Sequence, residues 1–181
     1  MERPNDGEDV KLEHDNGWVA YENVQQFLQV DGWFPDDVEG LTAFSARYVG
    51  THAEFRVVAH INVELEQIYV YVIFSESVPN DRRPAVAELL TRANYGLRIG
   101  NFEMDFRDGE VRYKASLDFE GATLTHPLLK NLLYPAVQTS DRYFQSVMQV
   151  AFAAAEPEAV IGEVEGRPVV GPEDDGGATG R

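Results

Sequence analysis

The stretch Asn101–Gly121, NFEMDFRDGEVRYKASLDFEG, predicts a β-hairpin with one apolar and one polar face. Apolar and polar residues alternate on both sides of Asp108-Gly109, a dipeptide typical of two-residue hairpin turns. A slip of one residue would carry every apolar side chain into water, so the alternation fixes the face that each side chain takes. The hairpin offers no nucleophile, metal-binding cluster or phosphate loop, and this argues against an enzyme.

A two-residue turn also predicts which residues lie opposite each other. The expected pairs are Arg107 and Glu110, Phe106 and Val111, Asp105 and Arg112, Met104 and Tyr113, Glu103 and Lys114, and Phe102 and Ala115. Carboxylates then face cations on the polar side, which stabilises antiparallel strands. We therefore interpret Glu103 and Asp105 as members of charge pairs rather than as a catalytic carboxylate pair.

The hairpin also carries a family resemblance. Thr91–Gly121 resembles the central block of the YbjN family, a bacterial group whose fold is similar to that of type III secretion chaperones. The similarity continues through Leu124–Val137 and Ser140–Ala153, and it covers most of Trp18–Ala155. These motifs are structural, so the resemblance implies a fold far more than an activity. It also implies homodimerisation and the binding of a protein client through sheet and helix surfaces.

Composition divides the chain of 181 residues into one domain and two tails. Residues 1–17 and 156–181 are acidic, and the second stretch is rich in Pro and Gly, so we expect both to be flexible. Residues 18–155 form the expected YbjN-like α+β domain. The chain has no cysteine, which excludes disulfides and thiolate chemistry. It shows no apolar signal core and no membrane-length apolar run, and we expect a cytoplasmic protein.

Within the domain, apolar spacing predicts the order α-βββ-α-ββ-αα, an antiparallel sheet packed by helices. The family resemblance implies that this arrangement is similar to that of type III secretion chaperones. The first helix is expected over Trp18–Val30. The three consecutive strands are expected at Leu41–Val49, Ala53–Val63 and Ile68–Phe74. After the hairpin we expect two helices, the first capped by Thr125 and the second by Ser140 or Asp141.

The formal net charge of −16 restricts the possible partners. An acidic surface repels phosphate backbones, so we expect no direct binding of DNA or RNA, and Arg82-Arg83 is too small a basic patch to change this. A basic protein partner, such as one that itself binds DNA, is attracted over long distances. The alternative is that the acidity only keeps the protein soluble.

The chain shows no pattern that binds a metal or a cofactor. The histidines His14, His52, His60 and His126 have no spacing typical of metal ligands. We interpret His60 as a solvent-facing strand residue and His126 as a residue that helps a helix to begin. We therefore expect no catalytic residue, no metal site and no cofactor.

The candidate partner-binding residues are aromatic or aliphatic, and they are Trp33, Phe34, Tyr69, Tyr71 and Ile73. The strand Ile68–Phe74 is apolar on both faces, so it is either covered on both faces or presents one of them to a partner. Tyr and Trp are favoured at recognition surfaces. The alternative is that helices of the same domain cover these side chains.

These observations favour a non-catalytic, dimeric, chaperone-like module that binds a protein client. The first alternative is a stress or sensory regulator that also acts through partner binding, as the usual label of the family suggests. The second is a cryptic hydrolase, which requires titratable groups that converge in a pocket.

Overall fold

A computed structural model describes the backbone of residues 9–166 and the side chains of residues 16–166. Within these residues the chain forms an α+β fold, as expected, with a six-stranded antiparallel sheet and four helices. The elements are α1 (Asp9–Val30), β1 (Asp36–Asp37), β2 (Ala43–Val49), β3 (Glu54–Asn62), β4 (Gln67–Ile73), α2 (Arg83–Gly96), β5 (Asn101–Met104), β6 (Val111–Asp118), α3 (His126–Phe152) and α4 (Pro157–Glu165).

The sheet has the strand order β1-β2-β3-β4-β6-β5, with every neighbouring pair antiparallel. The strands predicted from alternating residues are confirmed at β2, β3 and β4. Along β3 and β4 alternate residues are buried, because successive side chains of a strand point to opposite faces. The short strand β1 was not expected, and it pairs with Phe44 and Ser45 of β2.

The hydrophobic core lies on one face of this sheet, beneath the helices. Tyr21 of α1 packs against Phe44 of β2, with ring centroids 4.5 Å apart. Phe144 of α3 contacts both Phe55 and Phe74 at the ends of β3 and β4. The face that carries these aromatic rings is buried, and we refer to it as the core face.

The hairpin forms at the predicted place, but its predicted register is wrong by two residues. Phe102 lies opposite Tyr113 and Glu103 lies opposite Arg112, because the turn is longer than two residues. A shift of two residues leaves each strand residue on its expected face. The polar side therefore keeps its ion pairs, with Glu103 at 2.8 Å from Arg112 and 3.9 Å from Lys114.

Local hydrogen bonds explain the longer turn. Asp105 accepts hydrogen bonds from the backbone and guanidinium of Arg107, which hold the pKa of Asp105 at about 2. Asp108 accepts a hydrogen bond from the backbone of Glu110 at 2.9 Å. Such side-chain acceptors stabilise loop conformations that compete with strand pairing. As a result Asp105 does not pair with Arg112, and Phe106 is exposed in the loop.

The two helices expected after the hairpin are a single helix, α3, of 27 residues. Of the residues expected to cap these helices, only the first lies at the start of a helix. Thr125 does precede the helix, but Ser140 donates its hydroxyl to the carbonyl of Ala136, one turn earlier in the same helix. Asp141 accepts hydrogen bonds from a distant turn instead of capping a helix. Pro135 lies inside α3 without ending it.

Both expected domain boundaries differ from the structure. Helix α1 begins at Asp9, so its first residues lie in the segment that we assigned to a tail. Helix α4 follows Glu156, and it is buried against the domain through Pro157, Val160 and Ile161. Its apolar residues are too few to show a helical periodicity in the sequence, although they suffice to pack against α2 and α3. Residues 1–8 and 167–181, the remainder of the expected tails, lie outside the described residues.

One edge of the sheet is closed by a side chain. The amide group of Asn94 in α2 accepts a hydrogen bond from the backbone N–H of Phe102 at 2.7 Å and donates one to its carbonyl at 3.0 Å. These two backbone groups of Phe102 point away from β6, on the outer side of the edge strand β5. Exposed groups of this kind invite pairing with another strand, so Asn94 protects the edge.

Candidate functional site

The sheet has a second face, opposite the core, which we call the open face. Its central residues are Arg56, Val58, Tyr69, Tyr71, Ile73, Arg112 and Lys114, and the strand register places them side by side. All of these side chains are exposed or half-buried, whereas their strand neighbours on the core face are buried. Within the described residues, no helix covers this face, and a partner can reach it.

The predicted residues Tyr69 and Tyr71 lie on the open face beneath positively charged side chains. The guanidinium of Arg112 lies 4.5 Å from the ring centre of Tyr71, and the ammonium of Lys114 lies 5.5 Å from that of Tyr69. His60 stacks on the other side of Tyr69, on the solvent-facing side of β3, as its sequence position indicated. A cation and the face of an aromatic ring attract each other electrostatically. The face is thus mixed in chemistry rather than uniformly apolar.

The predicted residues Trp33 and Phe34 have opposite environments although they are adjacent. Trp33 is 7% exposed, stacks on Tyr48 at 5.4 Å and meets the edge of Tyr134 at 5.9 Å. Burial raises the pKa of the Tyr134 hydroxyl, and its hydrogen bond to Asp31 acts in the same direction. Trp33 is therefore a core residue, and it anchors the connector between α1 and β1.

Phe34 is the exposed member of this pair. Its side chain is 85% exposed, and its backbone has a φ angle of +47°. This left-handed conformation is unfavourable for a residue with a bulky side chain, and it costs about 1–3 kcal/mol. The buried Trp33 before it and Pro35 after it leave the ring of Phe34 pointing into solvent. A strained and exposed phenylalanine is a candidate for a functional role.

A cleft of 1030 Å³ lies between the connector and the open face, and we call it the connector cleft. It lies where the connector, the ends of β2, β3 and β4, and the hairpin loop meet. Its lining includes Trp33, Phe34, Arg47, Arg56, Ile73 and Glu110. The structure therefore brings three of the predicted residues together around one cavity. Tyr69 and Tyr71 lie beyond it on the open face, and Ile73 belongs to both surfaces.

The sequence analysis missed the role of Asp141. Its buried carboxylate accepts hydrogen bonds from the backbone N–H groups of Thr51, His52 and Ala53, and it contacts the imidazole Nδ1 of His52 at 3.1 Å. Burial raises the pKa of Asp141, but these hydrogen bonds outweigh it and the net pKa is lowered. The carboxylate thus locks the β2–β3 turn onto α3. Asp141 was one of the two residues expected to cap the last helix, and the local sequence gives no signal of this long-range contact.

The adjacent arginines Arg82 and Arg83 also have structural roles. Arg82 donates hydrogen bonds of 2.9 and 2.8 Å to the carbonyl of Val150 near the end of α3. Arg83 donates to the carbonyl of Val78 at 3.2 Å and to that of Phe106 at 2.8 Å. It therefore ties the hairpin loop to the segment before α2, and this fixes one wall of the connector cleft.

Two further kinds of feature are absent from the part of the chain that the structure describes. There, no group of three or more His, Asp or Glu side chains is arranged to hold a metal ion. No helix in the same residues is both long enough and apolar enough to cross a membrane. What the site offers is an uncovered, mixed aromatic and charged surface with a cleft at one end.

Comparison with known proteins identifies the family. No curated protein matches the sequence. A solved structure, "Crystal structure of YbjN, a putative transcription regulator from E. coli", is 13% identical with a TM-score of 0.49, and the match covers 74% of this chain and 89% of that chain. The model of the YbjN family, "Putative bacterial sensory transduction regulator", matches residues 20–148. The match spans the sheet and most of α3, so the chain belongs to the YbjN family.

Proposed function

We propose that this chain is a non-catalytic regulatory protein that acts by binding a protein partner through the connector cleft and the open face. The observation that carries this proposal is Phe34, an 85% exposed aromatic ring held in a strained backbone conformation at the rim of the cleft. Exposed strain of this kind is retained where a function needs it. Aromatic side chains are also the most frequent anchors of protein interfaces.

The open face extends this binding surface. Tyr71 and Ile73 lie on β4 beside Arg112, so apolar contact area and charge are available together. Interfaces combine an apolar centre with polar groups that set specificity. The family description as a regulator, rather than as an enzyme family, supports a role in binding.

A basic partner and a homodimer are part of this proposal. The net charge of −16 attracts a basic protein over a distance of about one Debye length, roughly 8–10 Å, and it disfavours direct contact with DNA or RNA. Self-association is proposed in addition, because closed symmetric dimers are the commonest oligomers of soluble proteins. A dimer that keeps a cleft in each subunit would suit a chaperone-like role, in which each copy holds a segment of a client.

The test is affinity capture with the full chain, compared between variants. Partners are identified by mass spectrometry with the wild type and then titrated with the wild type, with Phe34→Ala and Tyr71→Ala combined, and with Tyr95→Ala. Tyr95 is a matched control because its ring is 90% exposed at the end of α2, away from the cleft. We expect the double variant to lose at least tenfold in affinity and Tyr95→Ala to lose none. Equal affinities for all three proteins would contradict the proposed surface.

The dimer is tested separately by light scattering at micromolar concentration. We expect about twice the mass of the chain, 20.3 kDa. A monomer under these conditions would remove self-association from the proposal and leave partner binding unaffected.

A further inference from the structure

We infer that the connector cleft binds an extended peptide segment of the partner that carries one acidic and one basic side chain, three or four residues apart, with apolar residues between them. This inference rests on the proposed function and specifies the chemistry of its ligand. It follows from the unequal distribution of charge along the cleft, which has a positive end, an apolar middle and a negative end.

The positive end is formed by Arg56. It lies directly opposite Arg47 in the β2–β3 pair. Gly50 donates its N–H to the carbonyl of Ala53, so these two residues form a hydrogen-bonded pair. Hydrogen-bonded and non-hydrogen-bonded pairs alternate between antiparallel strands. Arg47 and Arg56, three positions further along, therefore form a non-hydrogen-bonded pair, with Cα atoms about 4.5 Å apart. Like charges so placed destabilise a sheet.

Only one of these two arginines has its charge balanced within the described residues. Arg47 forms an ion pair with Glu54 at 2.7 Å, and that pair is neutral. Arg56 is exposed and has no ion pair in the described part of the chain. Asp36 is two strand spacings from Arg56, roughly 10 Å away or more, since it pairs with Ser45 on the far side of β2. A carboxylate from a partner would balance the remaining positive charge of Arg56.

The negative end is formed by the hairpin loop. Glu110 is half-buried, and its carboxylate makes no ion pair within the described residues. Asp108 is beside it, and its carboxylate accepts the backbone N–H of Glu110. Val78 donates its N–H to the carbonyl of Gly109 at 2.9 Å, and Arg83 binds the carbonyl of Phe106, so the loop is held in place. A basic side chain of a partner would find two carboxylates here, of which that of Asp108 is held in place by its hydrogen bond.

The middle of the cleft is apolar and has a defined length. Ile73 lies opposite Arg56, with Phe74 after it and Phe34 at the rim. From Arg56 the path crosses two strand spacings, through Ile73 to Arg112, whose charge is balanced by Glu103, and then one two-residue step to Glu110. Together these steps give about 12 Å. An extended chain advances about 3.3 Å per residue, so three or four residues span this distance. One or two apolar side chains between the charged residues would contact Ile73 and Phe34.

The inference is tested with three short peptides and the full chain. Each peptide is acetylated and amidated, which removes the terminal charges, and each has the same Val-Phe-Val centre. The flanking residues are Glu and Lys, Glu and Glu, or Lys and Lys. We expect the mixed-charge peptide to bind the wild type at least tenfold more tightly than the other two, measured by calorimetric titration. Equal affinities for the three peptides, or no binding of any, would overturn the inference.

Charge reversal at each end sharpens the test. Arg56→Glu makes both ends negative, so we expect it to prefer the Lys–Lys peptide. Asp108→Asn combined with Glu110→Lys makes both ends positive while Asn keeps the acceptor oxygen of the loop, so we expect it to prefer the Glu–Glu peptide. All three substitutions together should restore the preference for the mixed peptide. Circular dichroism confirms that each variant is folded.

A matched control uses charges outside the cleft. Arg98→Glu and Glu120→Lys change exposed residues that do not line it, and they should leave the ranking of the peptides unchanged. If the reversed variants keep the wild-type ranking, the inference is wrong. The proposed function is judged separately, because a captured partner that depends on Phe34 and Tyr71 would still support it.

Discussion

The two faces of the sheet differ in what they contact and therefore in what their residues do. Val72 on the core face is fully buried, whereas Tyr71, its neighbour in β4, is half-buried on the open face. The core face is covered by helices through aromatic contacts such as that between Phe55 and Phe144. The open face has cations over its tyrosines and a cleft at one end. Side chains on the first face determine stability, and those on the second are available for binding.

The first prediction concerns the core face and has the largest expected effect. Phe55→Ala removes a 1% exposed ring that contacts Phe74 and Phe144, and it leaves a cavity. We expect a loss of about 3–5 kcal/mol in the free energy of unfolding, measured with urea. Ile73→Ala, on the open face of the adjacent strand, is the control and should cost much less. Similar losses for the two variants would invalidate the distinction between the faces.

The second prediction concerns Asp141, which joins α3 to the β2–β3 turn. Asp141→Ala leaves the backbone N–H groups of Thr51, His52 and Ala53 without their acceptor. We expect a loss of about 1–3 kcal/mol at pH 7, measured by urea unfolding. Asp36→Ala, which changes an exposed carboxylate, serves as the control and should have little effect.

The same carboxylate predicts a dependence on pH. The pKa of Asp141 is lower in the folded than in the unfolded protein, so its contribution is present above the unfolded value of about 3.9 and is lost as the pH falls through the folded value. Below pH 4 the difference in stability between wild type and Asp141→Ala should therefore shrink. A difference that stays constant from pH 7 to pH 3 would contradict this assignment.

The third prediction separates strain from binding at Phe34. Phe34→Gly and Phe34→Ala both remove the ring, but only glycine adopts a φ of +47° without strain. We expect the Gly variant to be more stable than the Ala variant by about 1 kcal/mol, measured by urea unfolding. Both variants should lose affinity for the captured partner. If Ala is as stable as Gly, the backbone of Phe34 is not strained.

The fourth prediction has the smallest expected effect on stability. Tyr71→Ala removes a ring that lies under Arg112 on the open face, and we expect a cost of about 1 kcal/mol or less. Val72→Ala, one residue further on the core face, should cost more although it removes fewer atoms. Parallel thermal and urea unfolding of the two variants provides the measurement. A larger loss for Tyr71→Ala would show that the open face contributes to the core.

Local patterns predicted the strands, because apolar and polar residues alternate along β3 and strand-forming residues are concentrated along β4, which is apolar on both faces. The register of the hairpin was not predictable from the Asp108-Gly109 signal, since Asp105 and Arg107 form their own contacts within the loop. Asp141 was misinterpreted as a helix cap because its partners lie about ninety residues earlier in the chain. Each error involves a polar side chain whose hydrogen-bonding partner the local pattern does not indicate, within the loop for Asp105 and far along the chain for Asp141.

Only part of the candidate site was predictable from the sequence. Large apolar residues outside a clear amphipathic pattern indicated Phe34 and Tyr71, but the sequence alone does not distinguish the buried Trp33 from the exposed Phe34 beside it. The charges of the cleft were not predictable from the sequence, because Arg56 lies in β3 and Glu110 in the hairpin loop, and only the pairing of β4 with its two neighbours brings them to one cleft.

The hydrogen bonds of Asn94 have a consequence for the aggregation of the protein in the cell. An edge strand with free backbone groups can nucleate fibrils by recruiting further chains, and a conventional defence is a charged residue or a proline in the strand itself. Here the defence is located on a helix, some eight residues before the strand that it protects. Local unfolding of the end of α2 would therefore expose the edge even while the sheet remains intact, which makes that helix end the first place to examine if the protein forms aggregates under stress.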